Sequence, residues 1–199
     1  NVWSITGELS MITLTGDTAL QIYAQNGVAE EILDSPSCNG LDWGHGRAKD
    51  LQDIEELGIT PSPDHPVDVL VDHRDHRIQS SKVVNHVCQS ALPPHAVVRL
   101  APGVLIVTPE FCFLEAAKKG VALAAAIGME CCGAYGRDDS PRGFSDRAPI
   151  TNLARLSNTV AMARGHRGRR NALAALRLIL ENSRSPLETK TALALTCPE

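Results

Sequence analysis

Aromatic residues are scarce in this 199-residue chain: Phe, Tyr and Trp together make up 4% of it. So few large rings argue against an all-β sandwich and leave little on which nucleic-acid bases stack. No apolar run approaches the ~20 residues that a membrane span requires. The six cysteines, at 38, 88, 112, 131, 132 and 197, include no Cys-x-x-Cys and no other metal-like spacing. Cys131 and Cys132 are adjacent, a poor start for a disulfide framework, so reduced and mostly buried thiols in a cytoplasmic protein are expected. No serine is framed as a nucleophile elbow, and no glycine-rich loop joins a strand to a helix as a phosphate cradle must. No Cys/His spacing suggests nucleophilic catalysis either. Asn1 is not an initiator residue, which points to a processed start, and nothing there reads as a signal peptide.

What is present is a chain with 43% hydrophobic content, rich in Ala and Leu. That suffices to bury a core as one domain or two small ones and favours helices on a modest sheet. The net charge of −4 makes the molecule neither a polyanion mimic nor a generic nucleic-acid binder. Its distribution is uneven. Residues 1–136 hold 8 Lys/Arg against 17 Asp/Glu, whereas 137–190 hold 11 against 5, a local excess of +6. That asymmetry points to an anionic partner, with solvated helix faces as the equal competing reading.

The fold expectation centres on 97–120, VVRLAPGVLIVTPEFCFLEAAKKG. Two apolar runs flank Pro102-Gly103, a turn pair in which Pro presets φ and Gly accepts a positive one, so 97–107 reads as a hairpin. Thr108 reads as an N-cap and Pro109 as the first residue of a helix over 108–119. Phe111, Leu114 and Ala117 or Lys118 give it an apolar stripe. VDVLV (67–71) and KVVNHV (82–87) are further strands. The class expected is α/β (α+β), with a small mixed sheet from about 67–107 and a helical C-terminal half.

Along the rest of the chain, 1–15 alternates apolar positions (Ile5, Leu9, Met11, Ile12, Leu14) and suits a short strand. Helices are predicted at 17–25, burying Ala19, Leu20, Tyr23 and Ala24, at 28–33, and at 47–57 around Leu51, Ile54 and Leu57. Others are predicted at 121–132, 151–164 and 168–182, the last with Leu173, Leu176 and Leu180 buried. Residues 34–46 and 137–147 read as loops, and 60–66 (TPSPDHP) as an extended Pro-rich segment. Ser185-Pro186-Leu187-Glu188 matches a capping box, with Glu188 reaching back to the cap N–H.

Three stretches invite chemistry. DHRDH (72–76) suggests metal or phosphate, but His73 and His76 need partners elsewhere, and His45 and His65 lie too far off in sequence to add weight. A solvated hairpin loop is therefore expected there, with no metal. His86 reads as a hydrogen-bonded, half-buried strand histidine. GHRGRRNA (165–172) is a basic helix start, and Arg167, Arg169 and Arg170 are its candidate phosphate ligands.

From Val67 onward the order of features resembles a bacterial family. VDVLV, a basic loop, the strand with His86, VVRLAPGVLIVTPEFCFLEAA, GHRGRRNALAALRLI and SPLET together resemble AbiEi-type antitoxin-like proteins of the abortive-infection, type IV toxin–antitoxin group. Several of these carry a Vsr-like, restriction-endonuclease-like C-terminal domain. The resemblance spans about 67–196, and TGDTALQIY (15–23) is similar to the helix preceding this region. It implies an α/β core over 67–182 and a capped helix over 183–199 that opens a nuclease-like domain; 1–66 reads as an N-terminal helical and loop region, in which no winged helix is recognised. In that setting Glu188 matches the nuclease's first glutamate, with the catalytic Asp and Glu-x-Lys strands following it. Only eleven residues follow Glu188 here. One glutamate does not hold a catalytic metal, so no catalytic residue and no cofactor is expected, Mg²⁺ belonging only to a longer nuclease form. The function implied is a non-enzymatic domain of a defence or toxin–antitoxin-like protein. Its partner would be DNA, through 137–190, or another protein, and not a membrane. The alternatives are an endonuclease whose core is absent here, and a structural interaction module.

Overall fold

A computed structural model describes residues 11–25, 32, 35–138 and 140–196. Five strands form one mixed sheet: β1 (Ile12–Leu14), β2 (Val67–Val71), β3 (Val83–Val87), β4 (Val97–Ala101) and β5 (Val104–Val107), in the order β3-β2-β1-β5-β4. The helices are α1 (Gly16–Ala24), α2 (Leu51–Glu55), α3 (Pro109–Ala116), α4 (Val121–Cys131), α5 (Leu153–Met162), α6 (Arg169–Ala175) and α7 (Pro186–Thr196). The α/β class is as the sequence predicts. So is the β4–β5 hairpin, where Val97 faces Val107 and Gly103 takes a φ of 77° in the turn.

The sheet is not confined to 67–107. β1, only three residues long and fully buried, lies at its centre, antiparallel to β2 and parallel to β5. Its residues join two strand pairs whose inner edges would otherwise leave buried backbone N–H and C=O groups unpaired. A boundary at 66/67 thus divides a single sheet. Nor does DHRDH close a hairpin. β2 and β3 run parallel, in register from Val67 beside Val83 to Val71 beside Val87, so 72–82 is a crossover. A 3₁₀ turn at Arg74–His76 stands where such connections usually carry a longer helix.

The helices also depart from expectation in detail. α1 buries Thr18, Ala19, Ile22 and Tyr23, and Leu20 is half-buried. The reason is Asp68 on β2, whose Oδ2 lies 3.3 Å from the Thr18 N–H and 3.4 Å from its hydroxyl, while its own N–H donates to that hydroxyl at 2.9 Å. These bonds rotate Thr18 inward. Thr108 occupies the N-cap of α3 but makes no side-chain cap bond. α3 touches α1, α4, α5 and α6, so every residue from Pro109 to Leu114 is buried rather than a single stripe. α6 ends at Ala175, and Leu173 and Leu180 are exposed; Ala172, Ala175 and Ile179 are buried instead. α6 packs on α4 through Ala172 and Ala175, and beyond its end Ile179 sits so close to α4 that a Cβ on Gly128 would lie 2.4 Å from its Cδ1.

The predicted loop at 137–147 contains part of a hairpin, β6 (Tyr135–Arg137) with β7 (Phe144–Asp146). The predicted helix at 28–33 lies outside the described residues except for Ile32, which is buried, and Ile5 and Leu9 lie outside them too. Cys38, Cys88, Cys112, Cys131 and Cys132 are buried and unbridged. Burial pushes the Cys132 thiol up to about 12 and Cys112 and Cys131 well above the ordinary range, so these sulfurs are poor nucleophiles. Among the described residues no helix is long and apolar enough to cross a membrane.

Candidate functional site

The basic segment between α5 and α6 is fixed from below by one inward histidine. The His166 side chain is fully buried; its Nδ1 accepts the Gly168 N–H at 3.2 Å, which leaves Nε2 to donate to Glu115 Oε1 at 2.8 Å. Lys118 Nζ lies 2.6 Å from the same Glu115 oxygen. Burial acts to raise the Glu115 carboxyl, but the His166 hydrogen bond and the Lys118 charge outweigh it and hold the group below its ordinary range. Gly168 rests directly on the end of α3, where a Cβ would stand 2.6 Å from the Leu114 carbonyl oxygen. Asn171 Nδ2 adds a bond to the Ala117 carbonyl at 2.8 Å, supplying one of the acceptors that a helix C-terminus leaves open.

This packing corrects one expectation. The start of α6 abuts α3, so its backbone N–H groups do not present the open anion site that GHRGRRNA suggests. The three arginines also part company. Arg167 and Arg170 are exposed, whereas Arg169 is half-buried and donates from Nε to the Val160 carbonyl at 3.0 Å. Two other cations join the exposed pair: Arg164, from the same turn, and Lys119, from the end of α3 on which the turn is seated. Among the described residues none of Lys119, Arg164, Arg167 and Arg170 has a carboxylate partner. Other arginines do: Arg155 Nε stands 2.9 Å from Glu110 and Arg137 2.6 Å from Glu130. The spacing of 164, 167 and 170 was a readable signal for Arg164; nothing in the sequence announces Lys119.

Beside this rim lies a cleft of about 490 Å³, lined by Asp17, Asp68, His86, Glu115, Lys118 and Lys119 among others. The parallel register sets His86 beside Leu70 and so on the same face as Asp68, and its Nε2 meets Asp68 Oδ1 at 2.6 Å. Burial works to raise the Asp68 carboxyl, yet the His86 bond and charge and the Thr18 bonds hold it below its usual value. His86 is thus the hydrogen-bonded, half-buried histidine that the strand pattern predicts.

Elsewhere the fold gathers what the sequence scattered. His45, far from DHRDH in the chain, places its ring 3.9 Å from that of His76, with Asp72 between the two. His65 does not join them; its N–H donates to Ser62 Oγ. At α7, Ser185 Oγ accepts the Glu188 N–H at 3.2 Å, and Glu188 Oε2 accepts the Arg184 N–H at 2.7 Å, one residue further back than a capping box prescribes. No protein-family model, no curated protein and no solved structure matches the chain.

Proposed function

We propose that this chain is a non-enzymatic binding domain that contacts the phosphate backbone of nucleic acid through Lys119, Arg164, Arg167 and Arg170. One observation carries the reading: Arg164, Arg167 and Arg170, exposed and without carboxylate partners among the described residues, share a turn held rigidly to α3, and exposed Lys119 follows the end of that helix. Exposed cations left unpaired in an otherwise acidic protein favour a polyanion over internal ion pairing. With no aromatic side chain in 164–170, the contact is electrostatic rather than base-reading, and binding is insensitive to sequence. The resemblance to AbiEi-type antitoxin-like proteins assigns such a domain to a bacterial defence or toxin–antitoxin system. The endonuclease alternative requires several carboxylates on one ion; Glu188 is engaged at the start of α7, and that reading takes its other carboxylates from outside this chain.

Fluorescence anisotropy with a short DNA duplex across a salt series tests the proposal. Affinity should fall steeply with salt, and the Arg164→Ala/Arg167→Ala/Arg170→Ala variant should flatten the log–log slope by about 0.9 per lost phosphate contact. No binding at low salt, or a slope unchanged in the variant, refutes it.

A further inference from the structure

We propose that His45, Asp72 and His76 form a binding site for one divalent transition-metal ion of the zinc class. The three residues come from two segments, His45 from the 41–46 loop and Asp72 and His76 from the crossover that follows β2. Asp72 is the first residue beyond that strand. His76 Nδ1 lies 2.5 Å from Asp72 Oδ1 and His45 Nε2 lies 3.8 Å from Asp72 Oδ2. One donor atom from each residue falls within 4.8 Å of the others. Ligands around tetrahedral zinc, with bonds of about 2.0–2.1 Å, stand roughly 3.3 Å apart. The two separations run to different oxygens of Asp72, one shorter and one longer than that value, so the site closes when the carboxylate and the His76 ring rotate to open their hydrogen bond.

The donor set selects the ion. Two imidazoles and a carboxylate suit Zn²⁺ and its transition-metal neighbours, whereas Ca²⁺ and Mg²⁺ require oxygen shells. The surroundings orient the ligands as metal sites do. Asp42 binds His45 Nδ1, fixing the tautomer that turns Nε2 toward Asp72, the usual role of a carboxylate behind a ligating histidine. The loop carrying His45 is itself held, because the buried Thr13 hydroxyl on β1 donates to the Trp43 carbonyl at 2.7 Å. Gly44 lets that loop close on Asp72: a Cβ there would lie 2.5 Å from the Asp72 Cγ. On binding, the proton shared between His76 Nδ1 and Asp72 moves to Nε2 and the ion takes its place. Three protein ligands leave a position for water toward the adjoining cavity of about 780 Å³, which Arg77 and Gln79 also line.

A second convergent group, Cys88, Glu115 and His166, lacks these properties. Both His166 ring nitrogens are occupied, Glu115 is paired with Lys118, and burial raises the Cys88 thiol. It is a packing anchor.

The test is titration of the full chain with Co²⁺, followed by displacement with Zn²⁺. One cobalt per chain is expected, with a visible ligand-field spectrum and no thiolate-to-cobalt charge-transfer band. His45→Gln and His76→Gln should each weaken Zn²⁺ binding at least about 10-fold and Asp42→Asn about 10- to 100-fold, while Cys88→Ser leaves it unchanged. Paramagnetically shifted ring protons of His45 and His76 in the cobalt-loaded wild-type chain give the same answer without a variant. No cobalt spectrum, a thiolate band abolished by Cys88→Ser, or paramagnetic shifts on other histidines would overturn the assignment.

Discussion

Thr108-Pro109-Glu110 opens α3 and Ser185-Pro186-Leu187-Glu188 opens α7, so two helices begin with closely related chemistry in opposite surroundings. α3 is buried through its first six residues; in α7 only Thr189 is buried, while Leu187 is 72% and Leu195 82% exposed. The glutamates diverge accordingly. Glu110 is buried, and its Oε1 accepts the Thr151 hydroxyl at 2.5 Å and faces Arg155 Nε at 2.9 Å, joining α3 to α5 and the segment before it. Glu188 makes only the local bonds at its own helix start. Conversely, Ser185 caps and Thr108 does not. A local motif fixes where a helix begins; what packs on it decides whether its polar groups serve the helix or the tertiary structure.

Several substitutions test this contrast. The largest separation is expected in the apolar residues. Phe111→Ala should destabilise by about 3–5 kcal/mol, because it empties a fully buried volume. Leu187→Ala should stay within about 0.5 kcal/mol, since most of that side chain already faces water. Urea unfolding of both variants gives the comparison, and equal losses would show that α7 is covered by something else in solution.

Next come the glutamates themselves. Glu110→Gln keeps an acceptor for Thr151 but removes the charge facing Arg155, at about 1–3 kcal/mol. Glu188→Gln preserves the reciprocal capping geometry and should cost under about 0.5 kcal/mol by the same measurement. Ser185→Ala removes the cap bond outright and should cost about 1 kcal/mol, visible as a lower Tm and faster exchange of the first amides of α7.

The smallest effect expected is a change in acid sensitivity. Glu115, in the last turn of α3, has its carboxyl held below the ordinary value. Its contribution is therefore fully present above about pH 4.3, where an unfolded glutamate ionises, and is lost as pH falls through the folded-state value. Asp68 acts in the same direction. Glu115→Gln should flatten the acid limb of a Tm-against-pH curve relative to wild type. Parallel limbs would mean that His166 and Lys118 do not favour the ionised form.

Period and punctuation in the sequence carried the local elements: the Pro102-Gly103 hairpin, the α3 start at Pro109, the Ser185 cap and the VDVLV strand were all legible. These depend on φ/ψ preferences and hydrogen bonds within a few residues. Strand order was not legible, because ITL at 12–14 is too short to signal a central strand and owes its place to unpaired edges on either side. The parallel pairing of β2 and β3 was hidden too, since a polar connection of this length reads more simply as a turn. Leu173 misled because α6, packed on α4, buries Ala172 and Ala175 and leaves it outside, and Leu180 because the helix ends at Ala175, before reaching it.

Among candidate functional groups, the chain alone determined which residue types were available: cations near 164–170, histidines and aspartates near 72–76, a single glutamate at α7. Tertiary structure decided which of them meet. It turned Arg169 onto Val160, seated the basic turn on the end of α3 at Gly168, and brought His45 to Asp72 and His76. Convergence of this kind is a property of how strands cross and helices pack, and residues distant along the chain carry no mark of it.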